Sequence, residues 1–364
     1  MTIKEVAHII EELAPLAYAE DFDNVGLLVG DYQTEVTGVL VTLDTLEDTV
    51  DEAIESGCNL IVSFHPIIFS GLKKLNGASY VERVVLKAIR NNIAIYATHT
   101  ALDNSILGVS DGICNQLGLI NTKILLPKRH ILKKLITYVP RENAEALKEQ
   151  LFEAGAGSIG NYDQCSFNID GLGTYRGNDS ANPTIGKKGV LQKEHEVMVS
   201  VIFEARFESK IVTALQENHP YEEVAYEVIT TDNTYQNVGM GKIGELAEPM
   251  SEKDFFQYVK MTMNTPCIRH SRLLGKPIKK VAVLGGSGSF AIEDAKIQGA
   301  DAYISADFKY HDFFKAENKI MLMDIGHYES EQFTKMLLKE YLTKKITNFA
   351  IVLSEKSTNP IFYK

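Results

Sequence analysis

The first residues of the chain carry the pattern of an amphipathic helix. Thr2, followed three residues later by Glu5, forms a capping-box sequence, which is typical of a helix N-terminus. Apolar residues then recur at helical spacing and predict one buried face, formed by Ile3, Val6, Ile10 and Leu13. We therefore expect the fold to begin with a helix packed against a core.

Short apolar runs and helical patterns alternate in the segment that follows. Three runs predict buried strands: GVLVTLD (38–44), NLIVSF (59–64) and NIAIYAT (92–98). The stretches 45–56 and 79–91, which separate these runs, have helical periodicity. Strands that alternate with helices at this spacing favour βαβ units, a mostly parallel sheet and the α/β fold class.

The same order of elements returns near the C-terminal end. Strands are predicted at KKVAVLGG (279–286), ADAYISAD (300–307) and KIMLMDIG (319–326), followed by a helix at about 328–342 and a strand at 348–354. Val39 and Val281 occupy matching strands 242 positions apart, and the same offset takes His65 to Asp307. We interpret the two end segments of the chain as copies of one duplicated α/β core.

An insert, 128–245, separates the two copies and has a different pattern. Its predicted elements follow the order β-α-β-β-α-β, which is the order of a ferredoxin-like α+β domain. The sequence therefore predicts a discontinuous core made of residues 1–127 and 246–364, interrupted by this insert.

Polar side chains that suit a metal ion follow the predicted strands of both copies. His99 and Asp103 are four positions apart after one strand, and His327 and Glu331 have the same spacing after its counterpart, 228 positions later. On a helical turn such a pair points the same way, and ligands of α/β sheets bind beyond the carboxyl ends of strands. With His65 they predict a metal site whose ligands are His65, Asp103, His327 and Glu331, and His99 is predicted as a supporting residue or substitute ligand.

Imidazole and carboxylate ligands favour Zn, Fe, Mn or Ni over Ca or Mg. A carboxylate can bridge two ions, so one or two divalent ions per chain are expected. Each residue alone has a simpler interpretation, because a single His after a strand is usually a hydrogen-bonded structural residue. The metal interpretation depends on all of the residues occurring together, in two copies.

The glycine-rich stretch GGSGSF (285–290) has three interpretations. It can be a tight turn, a substrate-anion site formed by Gly285, Gly286, Ser287 and Gly288, or part of a dinucleotide site with Asp307 holding a ribose. We rank them in that order. The stretch HPYEE (219–223) in the insert is interpreted as a surface turn rather than a second metal site.

Composition narrows the range of partners. The 364 residues carry a formal net charge of −11, which argues against a broad nucleic-acid surface, whereas a small anionic substrate stays compatible with a metal centre. No apolar run approaches the length of a membrane span, and the N-terminus does not have the pattern of a signal peptide. Four widely spaced cysteines are expected to be reduced, as in a cytoplasmic protein.

Several motifs together resemble a known family. FDNVGLLVGD (22–31), SFHPIIFSGLKKL (63–75), THTALDN (98–104), GGSGS (285–289) and DIGHYESE (324–331) are similar to those of the Nif-three-like dinuclear metal centre family, also described as type-two GTP cyclohydrolase homologues. The resemblance implies a homohexamer with metal sites facing its interior. It also implies a hydrolase that opens the imidazole ring of GTP and releases formate, and an insert similar to PII and divalent-cation-tolerance proteins.

The family's metal ligands match His65, Asp103, His327 and Glu331, but one departure is important. The family's HHP motif reads Phe64-His65-Pro66 here, and a phenyl ring cannot bind a metal ion. The resemblance therefore implies one tightly held ion, with the second held weakly or by His99.

Three functions follow as hypotheses from the sequence. The first is a metal-dependent hydrolase acting on a small, nucleotide-like substrate. The second is a metal-dependent scaffold, or a carrier of metal or cofactor, without catalysis. The third is a dinucleotide-dependent oxidoreductase, which would leave the His and carboxylate residues without a role.

Overall fold

The structure is a computed structural model that describes all residues from Met1 to Lys364. The helices are α1 (Ile3–Leu13), α2 (Glu47–Glu55), α3 (Tyr80–Arg90), α4 (His99–Asp103), α5 (Val109–Gln116), α6 (Ala144–Glu153), α7 (Glu208–Asn218), α8 (Glu252–Thr262), α9 (Ile292–Ile297), α10 (His327–Glu331) and α11 (Thr334–Lys345). The strands are β1 (Gly26–Val29), β2 (Gly38–Thr42), β3 (Leu60–Ser63), β4 (Ala94–Ala97), β5 (Ile120–Lys128), β6 (Leu132–Pro140), β7 (Ser166–Tyr175), β8 (Gln192–Glu204), β9 (Tyr226–Thr230), β10 (Tyr235–Met250), β11 (Arg269–His270), β12 (Ile278–Ser287), β13 (Ala302–Ala306), β14 (Met321–Asp324) and β15 (Ala350–Leu353).

The chain forms two compact units, Met1–Pro127 with Gln236–Lys364, and Lys128–Tyr235. The sequence placed the second boundary at 245/246, which falls inside β10. From Lys242 to Glu245 this strand pairs with β12, so these residues belong with the first unit. No helix is both long and apolar enough to cross a membrane.

The first unit contains two sheets built on the same plan. One has the order β1-β4-β3-β2-β15 and the other β11-β14-β13-β12-β10-β5. In each, the three central strands are parallel, and an antiparallel strand pairs with the third of them. A five-residue helix, α4 or α10, follows the third strand. This repetition confirms the duplicated α/β core.

Both sheets pack one face against a shared hydrophobic core. Alternate residues of the parallel strands, such as Val39 and Val41 in β2 and Val281 and Val283 in β12, lie in this core with α1, α5, α8 and α11. The residues between them face outward into smaller clusters with α2 and α3, or with α9. Burial on both faces explains why these strands are continuous apolar runs.

The predicted first helix is confirmed. Thr2 caps α1, because its hydroxyl accepts from the Glu5 N–H at 3.4 Å, and the Glu5 carboxylate accepts from the Thr2 N–H at 2.7 Å. The single helix predicted at 328–342 is wrong. The chain forms α10 and α11 instead, separated at Gln332 and Phe333, so that α10 follows its strand end while α11 buries Leu338 and Leu342 in the core.

The second unit is an antiparallel sheet of order β7-β8-β6-β9. Helices α6 and α7 bury Leu147, Leu151, Ile211 and Leu215 against it. His219 follows α7 and is buried, and its Nε2 donates to the Tyr138 carbonyl at 3.0 Å while its Nδ1 accepts from the Tyr221 N–H at 3.1 Å. Both ring nitrogens are therefore engaged by the protein itself.

Candidate metal centre

Three predicted ligands meet where strands of the two sheets end. His65 lies two residues beyond β3, and its backbone N–H donates to the Leu43 carbonyl at 2.9 Å. His327 begins α10 and Glu331 ends it, so their side chains share one side of a single helical turn. The potential ligand atoms of His65, His327 and Glu331 all lie within 4.8 Å of one another, and these residues are called the His65 cluster below.

Glu331 Oε2 lies at the centre of this cluster. The Nε2 atoms of His65 and His327 are each 3.2 Å from it. Glu331 is buried, and Oε2 has no partner with hydrogen-bond geometry. Ion pairing with the two imidazoles offsets part of the cost of burying this oxygen, and a cation bonded to this oxygen and the two Nε2 atoms would offset the remainder. The residues present therefore fit a divalent ion.

The outer nitrogen of each imidazole is held by an aspartate. His65 Nδ1 donates to Asp44 Oδ1 at 2.8 Å, and His327 Nδ1 donates to Asp307 Oδ2 at 2.7 Å. A carboxylate on Nδ1 fixes the ring and directs Nε2 toward a metal. The sequence pattern indicates Asp307 only as the counterpart of His65 and as a ribose ligand, and it gives no role to Asp44. The available signal was an acidic residue just after β2 and β13.

Opposite charges within the cluster shift the pKa values of its members. Burial opposes charge on His65, but contacts with Asp44 and Glu331 outweigh it and raise the pKa of His65 to about 9. Burial likewise opposes charge on His327, yet Asp307 and Glu331 raise the pKa of that ring to about 11. For Glu331, burial favours the neutral acid, and the two imidazoles overcome it and lower its pKa to about 2. The pocket thus stabilises a carboxylate between two cations.

Asp103, the fourth predicted ligand, lies outside the three-residue group but interacts electrostatically with it. Burial, and then the negative charge of Glu331, hold the pKa of Asp103 well above its usual range. No hydrogen bond or ion pair engages its carboxylate. Asp103 is therefore a carboxyl group beside the cluster that has no hydrogen-bond partner of its own.

His99 is held like the other two histidines and, like His65, belongs to the first copy. Its Nδ1 donates to Asp23 Oδ1 at 2.7 Å, and its ring centroid lies 5.4 Å from that of His65. The separation of the His65 and His327 rings is almost the same, 5.5 Å. The Thr100 N–H also donates to Asp23, and with burial opposing them these contacts lower the pKa of Asp23 to about 2. Three imidazoles, each with an aspartate on Nδ1, therefore line one site.

Phe64 lies beside two of these rings. Its side chain is fully buried in the shared core, and its ring centroid is 4.8 Å from that of His65 and 5.6 Å from that of His99. A hydrocarbon ring thus stands beside two candidate ligands of the first copy, where it offers no donor atom.

A family model described as Duf34/NIF3 (NGG1p interacting factor 3) matches residues 1–360. This chain belongs to the Duf34/NIF3 family. The membership expected from the motifs is thereby confirmed. A Bacillus subtilis (strain 168) relative named GTP cyclohydrolase 1 type 2 homolog is 36% identical over 373 residues, which cover 99% of this chain and 98% of the relative. A relative of the same name from Staphylococcus epidermidis (strain ATCC 12228) is 34% identical over 368 residues, 100% of both chains.

Solved structures of the NIF3 family share the fold over the full length. A Bacillus cereus protein related to NIF3 superimposes with a TM-score of 0.87 at 36% identity, covering 100% of this chain and 99% of the other. A Staphylococcus aureus protein gives a TM-score of 0.80 at 31% identity with the same coverage.

The glycine-rich stretch of this NIF3-family chain packs against the cluster. The Gly286 N–H donates to Ser330 Oγ at 2.9 Å, and the Gly288 N–H donates to the Ala306 carbonyl at 3.4 Å. Ser287 Oγ donates to Asp307, which also holds His327. These groups have partners within the protein, so the anion site stays a prediction, and Asp307 supports an imidazole at the place where a dinucleotide site would need a ribose ligand.

Proposed function

We propose that this protein is a metal-dependent hydrolase that acts on a small, nucleotide-like substrate at the His65 cluster. The observation that carries the proposal is the buried Glu331 Oε2, which has no hydrogen bond and lies 3.2 Å from the Nε2 atoms of both histidines. The relatives' name, GTP cyclohydrolase 1 type 2 homolog, supports the same reaction class.

His65, His327 and Glu331 would hold the first ion, and the carboxylate of Asp103 would serve a second. Nitrogen and carboxylate donors suit Zn, Fe, Mn or Ni, and zinc is the first ion to test. When bound, such an ion acts as a Lewis acid and makes water a nucleophile near neutral pH. Phe64 provides no ligand, so we propose one tightly held ion and a weaker second position at Asp103.

The protein's own residues perform the remaining tasks in this proposal. Asp44 and Asp307 keep the Nε2 atoms of the two ligand imidazoles directed inward. Asp23 holds His99 by Nδ1 and leaves Nε2 to exchange a proton with the attacking water or the leaving nitrogen. His99 is thus the proposed proton shuttle.

Exposed aromatic rings beside His99 support a planar substrate. Phe69 is 52% exposed and Phe22 is 66% exposed. Their ring centroids are 6.4 Å apart, and that of Phe69 is 6.2 Å from that of His99. On the same loop Lys73 and Lys74 are exposed and form no ion pair. Aromatic rings stack on nucleobases, and free lysines bind phosphates, so this loop suits a nucleotide.

The proposal is tested by metal content and turnover measured together. Protein purified without chelator is analysed for metal per chain, then loaded with Zn²⁺ and incubated with a panel of purine and pyrimidine nucleotides. Loss of each nucleotide is followed, and formate release is measured for the purines. The variants His65→Asn and His327→Asn should lose metal and activity. His130→Asn is the control, because His130 also faces an aspartate, Asp232, but belongs to the other unit.

Each result separates the candidate functions. Metal binding with nucleotide hydrolysis supports the enzyme. Metal binding without turnover on any nucleotide favours the scaffold or carrier, and absence of metal after reconstitution contradicts both. The homohexamer and the cytoplasmic location stay predictions, and sedimentation of the loaded protein tests the first.

A further inference from the structure

The segment that follows β15 is fastened to the first unit by buried polar contacts. The Ser354 N–H donates to the Val41 carbonyl at 2.8 Å. The carboxylate of Glu52 accepts from the Ser354 hydroxyl at 2.5 Å and from the Glu355 N–H at 2.7 Å. Both Ser354 and Glu52 are buried. From this anchor the chain continues without helix or strand to Lys364.

Four residues beyond the anchor, the segment contacts Asp44, the residue that orients the His65 ring. Thr358 is 7% exposed, and its Oγ1 donates to Asp44 Oδ2 at 2.5 Å. The other oxygen of the same carboxylate, Oδ1, holds His65 Nδ1 at 2.8 Å. The hydroxyl therefore restrains the carboxylate that orients the His65 ring.

The adjacent residue reaches the helix of the second copy. Asn359 Nδ2 donates to Glu329 Oε1 at 3.1 Å. Glu329 is buried and lies in α10, between His327 and Glu331. Gly326, at a φ of +94°, precedes α10, and a Cβ there would lie 2.9 Å from the Tyr363 hydroxyl. The segment thus packs closely against the start of this helix.

We propose that Thr358 and Asn359 are positioning residues that brace the metal centre across its two halves. Thr358 fixes Asp44, which orients His65, and Asn359 fixes α10. The spacing between the Nε2 atoms and Glu331 Oε2 therefore depends on this segment. Ordering an irregular segment costs conformational entropy. At Thr358 and Asn359 the contacts that offset this cost are hydrogen bonds to Asp44 and Glu329. The inference rests on the proposed metal binding.

The test uses Zn²⁺ alone, measured by competition with a chromophoric chelator on the full chain. Thr358→Val keeps the shape of the side chain and removes the donor. We expect its Kd for zinc to rise roughly 3–10-fold, less than for loss of a direct imidazole partner. Thr358→Ser should restore the wild-type value. Thr231→Val is the matched control, because the Thr231 hydroxyl donates to the Leu132 carbonyl at 3.1 Å in the other unit.

Two measurements distinguish positioning from a general structural role. The metal-free unfolding midpoint of Thr358→Val should match that of the control, and in an Asp44→Ala background Thr358→Val should add no further loss of affinity. An unchanged zinc Kd in Thr358→Val, or full additivity with Asp44→Ala, overturns the inference.

A metal-free readout keeps this inference separate from the proposed function. With ¹⁵N-labelled histidine, the imidazole signals of His65 should shift in Thr358→Val while those of His219 stay in place. If wild-type protein binds no zinc, the proposed function fails, and the His65 signal still decides whether Thr358 positions that ring. An unchanged His65 signal contradicts the inference.

Discussion

The two copies of the α/β core each place a histidine and a carboxylate on equivalent helices, but the two pairs have different surroundings. In each, a five-residue helix follows the third parallel strand and carries a histidine at its start and a carboxylate at its end. In α10, His327 Nε2 lies 3.2 Å from Glu331 Oε2. In α4 the ring of His99 is held by Asp23, and Asp103 has no partner.

The difference arises at positions related by the offset of 242. His65 in the first copy corresponds to Asp307 in the second, so one copy contributes an imidazole and the other the carboxylate that orients His327. Asp44 corresponds to Gly286 in the same way, and the side chain that supports His65 is replaced by space for Glu331. Duplication thus supplies the frame, and divergence at a few strand ends decides which groups come together in the His65 cluster.

The comparison is tested most severely by exchanging the two equivalent carboxylates for amides. Glu331→Gln should weaken zinc binding by more than ~100-fold, because Oε2 lies between the Nε2 atoms of both imidazoles. Removing a residue that only orients a ligand typically has a smaller effect. Asp103→Asn should affect mainly a second, weaker ion. Chelator competition measures both. Equal losses in the two variants would show that the copies contribute equally.

The three aspartates on Nδ1 provide the next largest effect. Asp44→Asn and Asp307→Asn should each reduce zinc affinity by roughly 10–100-fold, because each frees the ring of a direct ligand. Asp23→Asn should leave the first ion in place, since His99 lies outside the His65 cluster. A loss in Asp23→Asn as large as in the other two would place His99 among the tight ligands.

Phe64→His sharpens the comparison by giving the first copy a further imidazole. The new ring would stand beside those of His65 and His99, which are 4.8 and 5.6 Å from the phenyl centroid. Elemental analysis should show an increase from about one to about two ions per chain, since imidazole is a good ligand for these metals. Phe203→His, at a buried site in the second unit, controls for the polar burial, which costs roughly 2–4 kcal/mol in either place. A stoichiometry that stays at one contradicts the role assigned to Phe64.

Local spacing explains which parts of this arrangement could be predicted from the sequence. The pairs His99/Asp103 and His327/Glu331 need only one helical turn and a preceding strand, and α4 and α10 begin and end at these residues. The partnership of Asp44 with His65 joins residues 21 apart across neighbouring strand ends, and that of Asp307 with His327 spans 20. Periodicity carries no information on such pairs.

Tertiary contacts also explain why two element boundaries differ from those expected from the sequence. The pattern at 328–342 is continuous in helical period, but α10 is placed by the strand end and α11 by the shared core. The separation at Gln332 and Phe333 is therefore set by tertiary packing. In the same way β10 runs through the predicted boundary at 245/246, because its pairing partner, β12, is distant in sequence.

The smallest expected effect concerns the glycine that replaces Asp44 in the second copy. Gly286 has a φ of +67°, and a Cβ there would collide with Glu331 Oε1 and lie 3.4 Å from His327 Cε1. Gly57 has the same φ of +67° with nothing within 4 Å of its Cβ position, so Gly57→Ala measures the backbone cost alone, about 1–2 kcal/mol of unfolding free energy. Gly286→Ala should lose the same unfolding free energy and should also raise the Kd for zinc, because Glu331 must move. Denaturant unfolding of the metal-free variants and chelator competition separate the two terms. Equal behaviour of both variants would mean that the space at Gly286 serves the turn and not the metal centre.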